Sequence, residues 1–183
     1  EIDKIFPRLE KLIEHHANFK HALRSSQLAS VAAGDCGAHI PNIADIILEH
    51  FGGDAGVTFG EYCSEFLEDH RTALRIIRDK MTVPDFHNCL RLIEANPLCR
   101  KLTLKDFLPC VMSRIAKYKL LFQQVLKYTD DPAERSKLMQ CCDLADVLNV
   151  KVNEAVRSRE NANLLEEIRS NLFIKLPEDG KGI

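Results

Sequence analysis

Seven histidines and seven cysteines are the side chains of this chain best suited to chemistry, and their spacing supports little of it. His16 and His21 are five apart, half a turn off a shared helical face. No Cys-x-x-Cys occurs, so the paired ligands of a zinc site are not signalled, and no metal or cofactor is expected. Cys141 and Cys142 are adjacent, and only one is expected to point fully inward. An odd number of cysteines at helical, apolar positions fits reduced core thiols in a cytosolic protein, not a disulfide framework. There is no Gly-rich phosphate loop, no Gly-x-Ser-x-Gly elbow and no His-Glu-x-x-His.

The stretch that stands out is cationic. Arg100, Lys101, Lys105, Arg114, Lys117, Lys119 and Lys127 face a single acid, Asp106, in a protein of net charge −2. Such a segment is either a solvated helix face or a patch for an acidic partner. Ile115, Tyr118, Phe122 and Val125 share one face at ~100° per residue, the core side. Lys117, Leu121, Gln124 and Tyr128 share a second face. Leu and Tyr among Lys and Gln suit a protein contact surface, although a broad core stripe produces the same pattern. Arg114 is expected to be an ion-pair partner inside the domain. A later stripe of Leu138, Cys141, Ala145, Leu148, Val152 and Val156 is flanked by Asp146, Asn149, Asn153 and Arg157.

The elements that position these residues are helical. Gly and Pro are scarce, at 8 and 7 of 183 residues, 45% of the chain is hydrophobic, and strand-like alternation is rare. No apolar run reaches the ~18 residues of a membrane span, and near-neutral charge excludes a chain basic all over that would coat nucleic acid. A first helix is expected over about 2–31, broken by Gly34-Asp35-Cys36-Gly37 and Pro41. A short helix follows over 42–51 with Asn42 as N-cap, then a flexible turn at Gly52-Gly53-Asp54-Ala55-Gly56. Thr58-Phe59-Gly60-Glu61 reads as a capping box opening a helix to about Met81. Pro84 opens a helix to Ala95 with Phe86, Cys89, Leu90 and Ile93 inward. Thr103 and Asp106 cap the next segment, Pro109 breaks it, and a long helix runs to about Tyr128. Asp131, Pro132 and Glu134 form the clearest start, and no breaker follows until Pro177. The expected fold is all-α, an elongated irregular bundle of about six helices with a long C-terminal helix.

Residues 104–122, Leu-Lys-Asp-Phe-Leu-Pro-Cys-Val-Met-Ser-Arg-Ile-Ala-Lys-Tyr-Lys-Leu-Leu-Phe, resemble the signature helix of Dbl-homology domains. These are the exchange-factor domains for Rho-family GTPases. The family pattern is roughly Phe-Leu-x-x-Pro, then Gln-Arg-x-x-Lys-Tyr-Pro-Leu-Leu-Leu, so Ser113 and Lys119 depart from it. Blocks at 96–100, 129–138 and 152–156 are similar to the subgroup that also carries a regulator-of-G-protein-signalling-like domain. That subgroup acts on RhoA under heterotrimeric G proteins.

The resemblance implies a guanine nucleotide exchange factor that grips the switch regions of a RhoA-like GTPase and promotes GDP release, a non-covalent catalyst and not a bond-making enzyme. It implies that Lys117 reaches the second switch and Asn153 hydrogen-bonds there. Leu121 and Gln124 pack beside Lys117, and Arg157 and Lys127 meet acidic residues of the Rho protein. It also implies that residues 1–172 are the helical domain without its glutamate-bearing first helix, and 173–183 a linker toward a following domain. The implied setting is cytoplasmic, with recruitment to the plasma membrane, membrane contact only through neighbouring domains, and no nucleic acid. Two alternatives stay open: a GTPase- or scaffold-binding module without exchange activity, and an unrelated helical enzyme or spectrin-like bundle.

Overall fold

A computed structural model of the chain describes residues 2–35 and 39–172. Cys36 and Gly37, and the linker expected over 173–183, lie outside the described residues. The described residues form helices α1 (Ile2–Ile5), α2 (Leu9–Ala32), α3 (Ile43–Phe51), α4 (Gly53–Glu68), α5 (His70–Lys80), α6 (Pro84–Glu94), α7 (Leu104–Phe107), α8 (Cys110–Lys127) and α9 (Pro132–Asn171). A 3₁₀ turn, Pro97–Cys99, links α6 to α7. The all-α expectation holds, with more and shorter pieces before residue 100 than the apolar periodicity implied.

α9 is the spine. Its 40 residues begin where Asp131 Oδ2 accepts the Glu134 N–H at 2.9 Å, with Pro132 in the first turn, where a missing N–H costs nothing. Its stripe of Leu138, Cys141, Cys142, Ala145, Leu148 and Val152 is buried, and α3, α4 and α8 pack on it. Both adjacent cysteines are buried, contrary to expectation, because α9 is covered from more than one side here. Glu134 does not close its own capping box. Its Oε1 accepts the Ala44 N–H at 2.8 Å and so caps α3, where Asn42 makes no side-chain cap.

The first helix is two. Pro7 supplies no N–H, Arg8 takes a left-handed φ of 57°, and the chain turns between α1 and α2. Ile5 and Leu12 are buried, while Ile2 and Ile13 are exposed. The helix from residue 58 to Met81 is also divided, at Asp69, and Thr58 lies inside α4, so no capping box starts there.

Of the expected turn at 52–56, only Gly52 is extended, and residues 53–56 already belong to α4. α3 and α4 meet end to end with only Gly52 between them. A Cβ on Gly56 would overlap the Phe51 carbonyl, and one on Gly52 would lie 2.6 Å from the Leu48 oxygen. The glycines permit this sharp junction, which brings Phe51 and Phe59 to 5.5 Å in the core.

α6 buries none of its residues: Phe86 and Leu90 are half-buried, and Cys89 and Ile93 are exposed, against the inward stripe expected. Of the six described cysteines, all are free thiols, but only Cys63, Cys141 and Cys142 are buried. No described helix is long and apolar enough to cross a membrane.

The junction generates a stability prediction. Gly56→Ala is expected to destabilise the fold by about 2 kcal/mol or more, because the neighbour it strikes is backbone and cannot rotate away. Urea unfolding midpoints of the two proteins measure this; an unchanged midpoint would mean the junction is looser than described.

Candidate functional site

The cationic segment becomes the α7–α8 unit. Thr103 donates from its N–H and its hydroxyl to Asp106 Oδ2 at 2.8 and 2.7 Å, closing the expected capping box. Those bonds hold the Asp106 carboxyl below its ordinary pKa. Leu108 is buried, Pro109 ends the first piece, and α8 begins at Cys110.

Ile115, Tyr118 and Phe122 are buried and Val125 half-buried, so the expected core face is the real one. Tyr118 is the central plug: its ring lies 4.7 Å from Phe51, and burial pushes its phenol up to about 12. It is therefore a neutral donor. His16 Nδ1 lies 2.7 Å from the Leu12 carbonyl oxygen, which can only accept, so that nitrogen carries the proton. His16 Nε2 is then the acceptor for the Tyr118 hydroxyl at 2.7 Å.

Beneath this pair lies a cluster that the spacing of the histidines did not reveal. His15 stacks on Phe59 at 4.0 Å and sits 6.0 Å from His50. His15 Nε2 is buried without a hydrogen-bond partner among the described residues. Burial first, and then the charges of His16 and His50, lower its pKa to about 4. His15 and His50 are 35 residues apart in sequence, so only packing brings them together.

Tyr118 inward turns other residues outward. Lys117, Gln124 and Lys127 are exposed, with Lys117 and Gln124 flanking Leu120, which is 60% exposed. Sequence reasoning passed over Leu120, because it begins an unbroken apolar triplet with Leu121 and Phe122. Leu121 is exposed toward a groove of about 670 Å³ between α2 and α8, lined also by Leu9, Ile13, Leu23, Cys110 and Arg114. Arg114 makes no ion pair among the described residues, so the expected internal pairing is not present.

On the other flank, Lys119 Nζ meets Asp146 Oδ2 at 2.6 Å, and Asn149 Nδ2 donates to the Ile115 carbonyl at 3.4 Å. These two contacts set α8 antiparallel to α9. Lys119, one of the departures from the family pattern, therefore supports the register of the two helices. Asn153 and Arg157 continue the same flank of α9 at four-residue spacing, both exposed, with exposed Val150 among them. Lys117, Gln124, Asn153 and Arg157 make no hydrogen bond or ion pair with described residues. In this register Arg157 lies level with the start of α8 and Lys127 ends it, roughly 28 Å apart at 1.5 Å per residue. Five of the expected site residues, Lys117, Gln124, Lys127, Asn153 and Arg157, thus lie exposed along α8 and α9 as a strip rather than a pocket, while the sixth, Leu121, lines the groove. Among the described residues, no group of His, Cys, Asp and Glu is arranged to hold a metal.

The family model described as the RhoGEF domain matches residues 1–153. Rho guanine nucleotide exchange factor 1 of Rattus norvegicus is 35% identical over 176 residues, covering 94% of this chain and 18% of that protein. The chain thus spans under a fifth of this relative's length. The crystal structure of the linker-DH/PH domains of p115-RhoGEF matches with a TM-score of 0.83 at 32% identity, over 94% of this chain and 50% of that one. The complex of PDZ-RhoGEF DH/PH domains with GTP-γ-S activated RhoA matches with a TM-score of 0.84 at 29% identity, over 93% and 46%.

The half-buried His15 imidazole sets an acid limit. His15 has a folded pKa of about 4 against 6.5 unfolded, so the unfolded chain binds its proton first. Stability from this group is complete above pH 6.5 and is lost as pH falls toward 4. The half-buried position limits the effect to the order of 2 kcal/mol. His15→Phe keeps the stack on Phe59 and is expected to flatten the melting temperature between pH 6.5 and 4; a variant as acid-sensitive as the parent would assign the loss to other groups.

Proposed function

The chain belongs to the RhoGEF domain family, and from that membership we propose that it binds a RhoA-like GTPase at its switch regions through the α8–α9 strip and promotes GDP release. The observation that carries this reading is the likeness to the PDZ-RhoGEF domains in complex with activated RhoA. The exposed, unpartnered Lys117 and Asn153 on two helices locked in register supply the local support.

Such a protein breaks no covalent bond. It accelerates release by binding the nucleotide-free GTPase more tightly than the loaded one, so the complex lies closer to the transition state for release. Lys117 and Asn153 supply donors to the second switch. Leu120 and Leu121 supply area that binding removes from water, and Gln124 packs beside them. Arg157 and Lys127, at opposite ends, steer an acidic GTPase surface along the strip.

We further propose that residues 1–172 are the exchange domain and 173–183 a linker. The resemblance implied a further, glutamate-bearing helix, and the apolar groove between α2 and α8 is a surface on which such a helix can pack. Heterotrimeric G-protein control and recruitment from the cytoplasm to the plasma membrane belong to the parent protein. The second reading is binding without exchange: the open groove leaves that face of α8 uncovered, and Ser113 stands where the family pattern has Gln.

The domain with its preceding segment is expected to speed release of labelled GDP from RhoA. Lys117→Ala or Asn153→Ala should slow it about tenfold or more, ~1.4 kcal/mol at the barrier. Leu120→Ala should weaken binding of nucleotide-free RhoA as well. Rates untouched by all three would remove the α8–α9 strip from the mechanism, and tight binding without acceleration would select the second reading.

A further inference from the structure

The region between α6 and α7 carries apolar and cationic groups that the exchange reading does not use. The 3₁₀ turn is well tied: Asn96 Oδ1 accepts the Leu98 N–H at 2.9 Å, and the Leu102 N–H donates to the Cys99 carbonyl at 2.8 Å. This ordered turn holds Leu98 out, 87% exposed, beside Leu92 at 77% and Ile93 at 56%. A single exposed Leu needs no explanation, but three on one projecting tip do.

The charges around the tip are predominantly positive. The side chains of Arg91, Arg100, Lys101 and Lys105 are exposed and without a hydrogen bond or ion pair among the described residues. The two nearby carboxylates bond backbone and not these cations: Glu94 Oε1 accepts the Leu104 N–H at 2.8 Å, and Asp106 closes the α7 cap. Four cations against two acids leave the tip with a net positive charge. Arg100 and Lys101 also hold consecutive left-handed backbone, with φ of 51° and 65°, where L residues are strained.

We propose that this tip docks on an anionic lipid bilayer, with Leu98, Leu92 and Ile93 entering the interfacial layer and Arg91, Arg100, Lys101 and Lys105 meeting phospholipid headgroups. The occupant follows from exposure and charge. A protein partner would bury apolar anchors in a packed, complementary surface, whereas here three highly exposed apolar side chains stand in one short segment with four exposed cations that no described ion pair engages. That is the arrangement of groups that sit at a membrane interface. It places membrane contact within this domain as well as in any neighbour.

The test is co-sedimentation of the chain with phosphatidylcholine vesicles, with and without phosphatidylserine. Binding is expected only with phosphatidylserine and is expected to weaken as salt rises. Leu98→Ser, and separately the double variant Arg100→Asn with Lys101→Asn, should each lower partitioning about tenfold or more. Asn accepts left-handed backbone, and these side chains have no described partner, so helical circular dichroism and melting temperature should not change. GDP release from RhoA in solution should also be unchanged, which keeps this proposal separable from the exchange reading. No binding to phosphatidylserine vesicles, or binding that the variants leave intact, overturns it. So does competition by polyglutamate with no effect of Leu98→Ser, which would assign the tip to an acidic protein.

Discussion

Burial of Tyr118 is the constraint on which the rest depends. α8 is a rigid rod, so one side chain fixed in the core fixes the direction of every other. With its hydroxyl on His16 and its ring against Phe51, Tyr118 leaves α8 no freedom to rotate. Lys117 and Gln124 must then face water, and Leu120 with them. The Lys119–Asp146 pair and the Asn149 bridge add the second coordinate, the sliding of α8 along α9. An exposed ion pair of this kind stabilises little on its own. Its structural use is register, because it selects which residues of α9 stand beside which residues of α8.

A strip built in this way suits a task of differential binding. The bond to Asp146 raises the Lys119 pKa and holds it as a cation. Rigid placement has a specific advantage for such a task. Binding energy that is not spent on ordering the binder is left to distinguish one state of the partner from another. The buried aromatic cluster of Phe51, Phe59, Tyr118 and Phe122 beneath α8 provides that rigidity from within.

The parts legible in the sequence were those where one helix's own periodicity decides the outcome. The core face of α8, the Asp131-Pro132 start of α9 and the Thr103–Asp106 box all depend on residues within a turn or two of each other. The parts not legible depend on neighbours distant in sequence. Residues 52–56 read as a loop because Gly is a poor helix former, yet the α3–α4 junction needs Gly52 between the helices and Gly56 inside α4, where a Cβ would strike backbone. Glu134 suits its own capping box, and the α3 terminus claims it instead. His15 has no suitable histidine on its own helical face, and finds His50 only across the α2–α3 contact. α6 has an amphipathic pattern that says an apolar face exists, but not whether the fold covers it.

That last ambiguity connects the tip to the strip. α7 and α8 are separated only by Leu108 and Pro109, and Leu108 is buried, so the tip cannot swing freely relative to α8. Lys117 lies seven residues into α8 from Cys110, about 10 Å along the axis. A surface that holds Leu98 and its cations would therefore also set the direction of α8 and the height at which Lys117 is presented. The hydrogen bonds that tie the turn and anchor Glu94 to the start of α7 matter here, because a loose loop would dock equally well but transmit no orientation. Fixing the tip thus reduces the orientations a partner on the same surface must sample before meeting the strip. The saving is rotational entropy, which is drawn from the encounter and not from any contact with the GTPase.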